Sequence, residues 1–273
     1  MIITGYGGLD NWYNVTVNTS LNTFEVNFNH KSPARQLNFF EAADYTARTI
    51  AEKYKNIFLG FSGGMDSQFV AETFYKNNIN FTPLIGINPT NKDHEFALDW
   101  CNTRNIKSII LDLEFYSHDI LKIYSTFLKK VPFVNIGNCI DLFLSSIAKK
   151  HSGHLLVGGP TLPLTHHHIK HASKEPIYSV ELSEFALELT NQPIGGFFFF
   201  TPEIALSQAI NLDITKPDDY SRAALYNFPV RHKTLEYRLF PDSIFLKLAH
   251  ITKGRKINNQ DWLKTDLINL LQN

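Results

Sequence analysis

Cysteine is nearly absent. The chain of 273 residues has two, Cys101 and Cys139, and neither belongs to a C-x-x-C pair. Two such residues build no disulfide framework and no metal-binding cluster, so a reducing, cytoplasmic setting is expected. Charge of one sign is not in excess either: Lys and Arg number 26 together, as do Asp and Glu. That balance argues against broad nucleic-acid binding, while a tRNA substrate meeting a local basic cleft stays open. It also favours self-association, so a homo-oligomer is compatible with it. No apolar stretch reaches the length of a membrane span. The Met-Ile-Ile-Thr-Gly start has no basic segment leading into an apolar one, and no secretory signal is expected. A kinase-type G-x-x-x-x-G-K-[ST] loop is missing too. Gly5-Tyr6-Gly7-Gly8 begins like a dinucleotide fingerprint, but Asp10 stands where the third glycine belongs; a flexible N-terminal turn is expected there.

What is present is enough to fold. Hydrophobic residues make up 44% and charged residues 19%, a composition that excludes global disorder and supplies a sizeable core. Residues 11–29 alternate as a β-hairpin does, with Trp12, Val15 and Val17 on one arm, Phe24, Val26 and Phe28 on the other, and Thr19-Ser20-Leu21-Asn22 as the turn. Such a hairpin is expected on the edge or rim of a main sheet. Short apolar strands then alternate with helices. Strands are expected at 56–60, 81–88, 108–114 and 154–159, and helices at about 40–55, 68–77, 93–104, 119–130 and 138–150. Asn91 or Asp93 is expected to cap the third of these helices. The alternation reads as an α/β fold, a doubly wound parallel sheet, whose ligands sit beyond the carboxyl ends of the strands. That rule gathers Ser62–Ser67, Asn88, Asp112, Glu114 and Gly158-Gly159 on one rim.

The most specific segment is Phe61-Ser62-Gly63-Gly64-Met65-Asp66-Ser67, between an apolar strand and an amphipathic helix. A glycine pair lets the backbone turn sharply and approach an anion, and the helix aims its free N–H groups and positive dipole end at the same point. Ser62 and Ser67 add hydroxyl donors. Asp66 repels a bare phosphate, so its carboxylate points to a bridging Mg²⁺. The run Ser-Gly-Gly-Met-Asp-Ser resembles the SGGxDS signature of the PP-loop ATP pyrophosphatases. In pattern the chain is closest to the synthetase domain of asparagine synthetase, and the pattern-level likeness spans about residues 56–160. The resemblance implies ATP and Mg²⁺ as cofactors, cleavage between the α and β phosphates, and transfer of AMP to an acceptor that an amine then attacks. It implies nucleotide contacts from Phe61, Ser62, Gly63, Gly64, Met65, Asp66, Ser67, Ile87, Asn88 and Gly158, with Asp66 as metal ligand. The chain then divides into a β-hairpin extension (1–39), a PP-loop nucleotide-binding domain (40–165) and a mostly helical C-terminal cap (166–273), with helices expected near 180–190, 219–227, 242–253 and 260–271.

Departures from that family narrow the branch. No cysteine set supports thiolation, no C-terminal zinc cluster is present, and residue 2 is Ile, where a glutaminase domain would start with Cys. A small-molecule acceptor and a separate ammonia donor, or free ammonia, are therefore expected. Gly158-Gly159 is followed by Pro160-Thr161 rather than an acidic pair, which leaves Asp112 or Glu114 as candidates for a second metal ligand. Adenylation builds negative charge on the leaving pyrophosphate, and Arg231, Lys233 and Arg238 are the candidate catalytic cations, with Lys247, Lys253, Arg255 and Lys256 a second basic set. His166, His167, His168 and His171 are read as a polar loop rather than a metal site. Phe197–Phe200 is read as a buried strand or a contact between copies, and Thr201 with Pro202 as a helix start. Two alternatives remain open: a reductase or sulfur-transfer relative using Cys139 at a helix start, and a degenerate PP-loop protein that binds nucleotide without turnover.

Overall fold

The computed structural model describes residues 2–18, 23–28, 35–87, 92–128, 136–158, 195–213, 216 and 218–231. The chain opens with an antiparallel meander, β1 (Ile2–Gly7), β2 (Tyr13–Asn18) and β3 (Thr23–Phe28), paired in the order β1-β2-β3. The expected hairpin is its second half, with Val15 opposite Val26 and Val17 opposite Phe24. Gly5 and Gly7 are not a flexible turn: they pair with Val15 and Tyr13 inside β1, because the first arm of the hairpin offers a free edge. The turn falls one residue later, at Gly8. The meander is tied to the rest of the chain by main-chain and indole donors. Leu9 N–H donates to the Phe200 carbonyl at 2.6 Å, and Trp12 Nε1–H to the Phe199 carbonyl at 2.9 Å.

Among the described residues five parallel strands form the main sheet: β4 (Ile57–Gly60), β5 (Thr82–Ile87), β6 (Ile109–Asp112), β7 (His154–Val157) and β8 (Gly195–Gly196), in the order β6-β5-β4-β7-β8. The fold is a doubly wound α/β sheet. Its helices are α1 (Phe39–Lys53), α2 (Met65–Lys76), α3 (Asp93–Thr103), α4 (Ser117–Leu128), α5 (Ile136–Lys150), α6 (Pro202–Asn211) and α7 (Asp218–Tyr226). The period of two in each strand sorts the core into two layers. Phe58, Leu84, Leu111, Leu155 and Val157 face α4 and α5, where they meet Ile120, Tyr124, Leu142 and Leu144. Ile57, Leu59, Ile85 and Leu156 face the other way, onto Ala47, Ile50, Val70, Phe74 and Trp100 of α1, α2 and α3. Strands buried on both faces read as continuous apolar runs, which is why β4 and β7 are Ile-Phe-Leu-Gly and His-Leu-Leu-Val.

Residues beyond 194 add more than helices. Gly195 and Gly196 pair with Leu156 and Val157 as the fifth strand, and Phe197–Phe199 coil into one 3-10 turn. Phe197 to Phe200 are all buried, so they are core and not a contact between copies; the expected strand is a single turn because α6 begins immediately after it. Thr201 caps α6 with Pro202 in its first turn, and its hydroxyl meets Thr46 of α1 at 2.7 Å in the core. The expected helix near 219–227 is α7. The expected helices near 180–190, 242–253 and 260–271, the histidines at 166–171 and the second basic set lie outside the described residues.

One half-buried group titrates in an unusual range. Burial pushes the Asp141 carboxyl of α5 up from 3.8 to about 7. Between those values the folded chain holds a proton that the unfolded chain has released, so this group makes stability fall as pH rises from about 4 to 7. His154, lowered to about 4 by burial and by Lys53, acts with the opposite sign below about 6.5. Asp141→Asn mimics the protonated acid and leaves His154 in place. We expect its urea midpoint to exceed that of wild type at pH 8 and to match it at pH 4; an equal difference at both pH values removes burial of Asp141 as the cause.

Candidate functional site

The strand order places β4 at the centre, with its successor β5 on one side and β7 on the other. The crevice between β4 and β7 is therefore the topological switch point, where the connections leave to opposite faces and the carboxyl ends of the strands are uncovered. Ser62–Ser67 leaves β4 at this point, and Gly158 leaves β7 beside it.

Each loop residue has a definite post. Phe61 extends the ladder, its N–H donating to the Leu84 carbonyl at 2.9 Å, while its ring is buried edge-on against Trp100. Met65 is buried as well. These two residues offer the crevice main chain only. Gly63 has φ 83°, in the left-handed region, and a Cβ there would stand 1.8 Å from the Asp93 carbonyl oxygen. Gly64 is the N-cap of α2, so the helix starts at Met65 and not at Gln68, and Asp66 and Ser67 belong to its first turn. Ser, Thr, Asn or Asp in that position would satisfy a first-turn amide; glycine has no side chain to do so, and no side-chain cap is made. Gly158 lies against the same turn: a Cβ on it would be 2.7 Å from the Ser67 nitrogen. Ser67 turns its hydroxyl inward, donating to the Gly64 carbonyl at 3.0 Å and meeting the Ser62 hydroxyl at 3.1 Å. The loop thus carries an uncapped helix start between two glycines at the switch point, an anion seat by composition and by place.

Charge is brought in by residues distant in sequence. Asp66 is held from α7. Arg222 Nη1 donates to Asp66 Oδ2 at 2.5 Å, and the Tyr226 hydroxyl to Asp66 Oδ1 at 2.8 Å. Arg222 also reaches Asp219 Oδ1 at 3.2 Å through Nη2. The Tyr226 ring is fixed by stacking on Phe69, Phe39 and Phe198. Arg231 comes to the neighbouring side. Its Nη2 donates to Gln68 Oε1, its guanidinium lies 4.7 Å over the exposed Phe96 ring, and its buried Nε–H meets no acceptor among the described residues. Burial lowers its pKa, and Asp93 nearby opposes that. Arg222 and Tyr226 were not singled out in the sequence. Their signal is the i, i+4 spacing on one face of α7, which becomes informative only once α7 is known to pack on α2.

Other expected residues are placed elsewhere. Ile87 ends β5, its carbonyl accepting from Leu113 N–H at 3.1 Å. Asp112 and Glu114 stand at the β6 edge, two strands from β4. Asp112 Oδ1 accepts from the N–H groups of Glu114 and Phe115 at 2.9 and 3.3 Å, which closes a local turn. The strand order therefore does not bring either carboxylate to Asp66. The N-cap of α3 is Lys92, without a side-chain bond, and Asp93 is its first helical residue; Asn91 lies outside the described residues. So do Asn88, Lys233 and Arg238. Cys139 is fully buried, and burial together with Asp141 raises its thiol pKa, the reverse of the lowering expected at a helix start. Cys101 is buried too, its thiol pushed up to about 11. Neither is placed as a nucleophile. Among the described residues no group of His, Cys, Asp and Glu is arranged to hold a metal ion, and no helix is long and apolar enough to cross a membrane.

No family model and no curated protein matches the chain. Solved structures do. An NH3-dependent NAD synthetase from Campylobacter jejuni, in complex with nitrate, is 18% identical over 70% of this chain and 93% of its own, with a TM-score of 0.36. An NMN synthetase from Francisella tularensis is 13% identical over 68% and 90%, with a TM-score of 0.35. A predicted subunit of tRNA methyltransferase from Methanocaldococcus jannaschii is 14% identical over 63% and 86%, with a TM-score of 0.34. Scores at this level leave function to this chain's own residues.

Gly63 is the most constrained position of the loop. Gly63→Ala combines a left-handed φ with a Cβ inside contact distance of the Asp93 carbonyl. We expect a loss of about 1–3 kcal/mol in urea unfolding from backbone strain, increased by any displacement of α3. A loss below about 0.5 kcal/mol would mean that the loop does not keep this conformation in solution.

Proposed function

We propose that this chain is an AMP-forming ATP pyrophosphatase of the PP-loop kind, an adenylating ligase that prepares a carboxylate or amide oxygen for attack by ammonia or an amine. The observation that carries this reading is the Ser62–Ser67 signature folded as an uncapped helix start at the switch point, with Asp66 on its rim. The fold and the signature agree on one location, although they come from different parts of the sequence.

In this reading the acceptor oxygen attacks the α-phosphorus, the bond from that phosphorus to the bridging oxygen breaks, and pyrophosphate leaves with the electron pair. The amine then attacks the adenylated carbon, and AMP leaves. The protein binds and positions throughout. The first-turn amides of α2 face the leaving phosphates, where negative charge grows. Gly64 puts no side chain over that start, while Gly63 and Gly158 let the start of α3 and the end of β7 pack close beside it. Arg231, oriented by Gln68 and by the Phe96 ring, supplies a fixed positive charge beside it. Lys233 and Arg238 are proposed for the same task.

Asp66 is a hard oxygen donor at the rim, suited to Mg²⁺, and both its oxygens accept hydrogen bonds from α7. Asp66 would hold a divalent cation there by giving up its contact with Arg222. When bound there it would neutralise charge on the leaving phosphates. The setting we infer is cytoplasmic, with ammonia free or supplied by a separate protein.

The test is product identity. The full chain is incubated with α-labelled ATP, Mg²⁺, ammonium and a panel of small carboxylates, and nucleotides are separated. We expect AMP and pyrophosphate in equal amounts, and a loss of about 100-fold in Asp66→Ala, the scale of removing one preorganised electrostatic contact. Formation of ADP would overturn the mechanism. Tight ATP binding with no pyrophosphate from any acceptor would instead mark a nucleotide-binding protein without turnover.

A further inference from the structure

Two guanidinium groups converge on the first turns of α2. Arg222 binds Asp66 and Arg231 binds Gln68, two residues on. Both stand at the positive end of the helix dipole, where a cation is disfavoured. Asp66 offsets one of them, and Asp93 lies near the other. Asp219 adds an exposed i, i+3 contact to Arg222, of a kind worth little. Positive charge gathered around an uncapped helix start is stable only with anions at hand, and the nearest one is a protein carboxylate. The Asp66–Arg222 pair stands on the first turn of α2, at the uncapped helix start.

We propose that Arg222 is a pyrophosphate-binding residue held in reserve by Asp66. This rests on the ATP reading above and adds a residue and an exchange to it. In the nucleotide-free chain, Arg222 neutralises Asp66 and the carboxylate holds the guanidinium at the mouth of the seat. When a metal–triphosphate arrives, Asp66 turns from the guanidinium to the metal, and Arg222 turns from the carboxylate to the outer phosphates. Each ion trades one partner for another of the same sign, so no charge is left buried without a counter-charge. The Tyr226 hydroxyl stays in place through its stacked ring and keeps Asp66 at the rim during the trade. The exchange also orders binding: free metal competes with Arg222 for Asp66, and free pyrophosphate competes with Asp66 for Arg222. Only the two together satisfy both groups.

The prediction is a crossed pattern in two binding measurements on the full chain, with Mn²⁺ followed by electron paramagnetic resonance and metal-free pyrophosphate by calorimetry. Arg222→Gln should bind Mn²⁺ about tenfold more tightly and pyrophosphate about tenfold more weakly than wild type, the scale of one charge-assisted hydrogen bond. Asp66→Asn should lose Mn²⁺ and bind metal-free pyrophosphate about tenfold more tightly. Arg222→Lys keeps the charge without the two-pronged geometry and should shift both affinities in the same directions by less. Thermal melting checks that each variant is folded. Equal weakening of both ligands in Arg222→Gln, or no change in either, would overturn the proposal and leave Arg222 a structural clasp; if wild type still binds Mg²⁺–ATP, the ATP reading survives that result. A wild-type chain that binds neither ATP nor pyrophosphate overturns both.

Discussion

The site depends on one backbone constraint, the left-handed conformation of Gly63 against the Asp93 carbonyl. At this residue the chain leaves the carboxyl end of β4, reverses, and enters α2. The contact also fixes how close the start of α3 comes, since the residue that blocks a Cβ on Gly63 is the first of that helix. Two helices on the same face of the sheet are therefore brought together at their starts. Gly158 sets the third side, from β7. Among the described residues, the first turn of α2 is thus approached by the start of α3 through Gly63 and by the end of β7 through Gly158. Arg222 and Arg231 both bind side chains of the first residues of α2, Asp66 and Gln68.

Two patterns made the fold readable. Apolar runs of four to six residues separated by helical segments describe a parallel sheet, because strands covered on both faces need apolar side chains on both. The glycine loop, lying between a strand and a helix, marks which strand borders the switch point. Both signals are local, and both are present in the structure at nearly the expected residues. The shift of the α2 start from Gln68 to Met65 has a local cause as well: Gly64 takes the N-cap, so the helix begins as soon as the loop ends.

What was not readable is whatever depends on the meeting of distant segments. Gly195-Gly196 carries no strand signal, since glycine has low β-propensity; it pairs because β7 leaves an open edge and the residues after it are pulled into the core by four phenylalanines. Cys139 was assigned by its place on a helix, whereas its environment is set by which face of α5 turns inward. Asp112 and Glu114 look well placed at a strand end, but strand order puts them at the sheet edge, and order is not written in any one strand. Arg222 and Tyr226 were missed for the same reason: nothing within α7 says that its partner is the start of α2.

These tertiary contacts change what the loop itself means. Taken alone, a carboxylate in a phosphate loop demands a metal, because two negative charges cannot share a site unaided. In the folded chain that demand is already met by a guanidinium, at 2.5 Å and with both groups largely shielded from water. A partly shielded ion pair is costly to break by removing one member, but not by replacing each member with an equivalent charge. The pair is thus a barrier to either ion arriving singly and no barrier to a neutralising complex of the two. On the proposed reading, selectivity for a metal-bound polyphosphate over free phosphate or free metal rests on this ion pair, before any contact with a nucleoside is made.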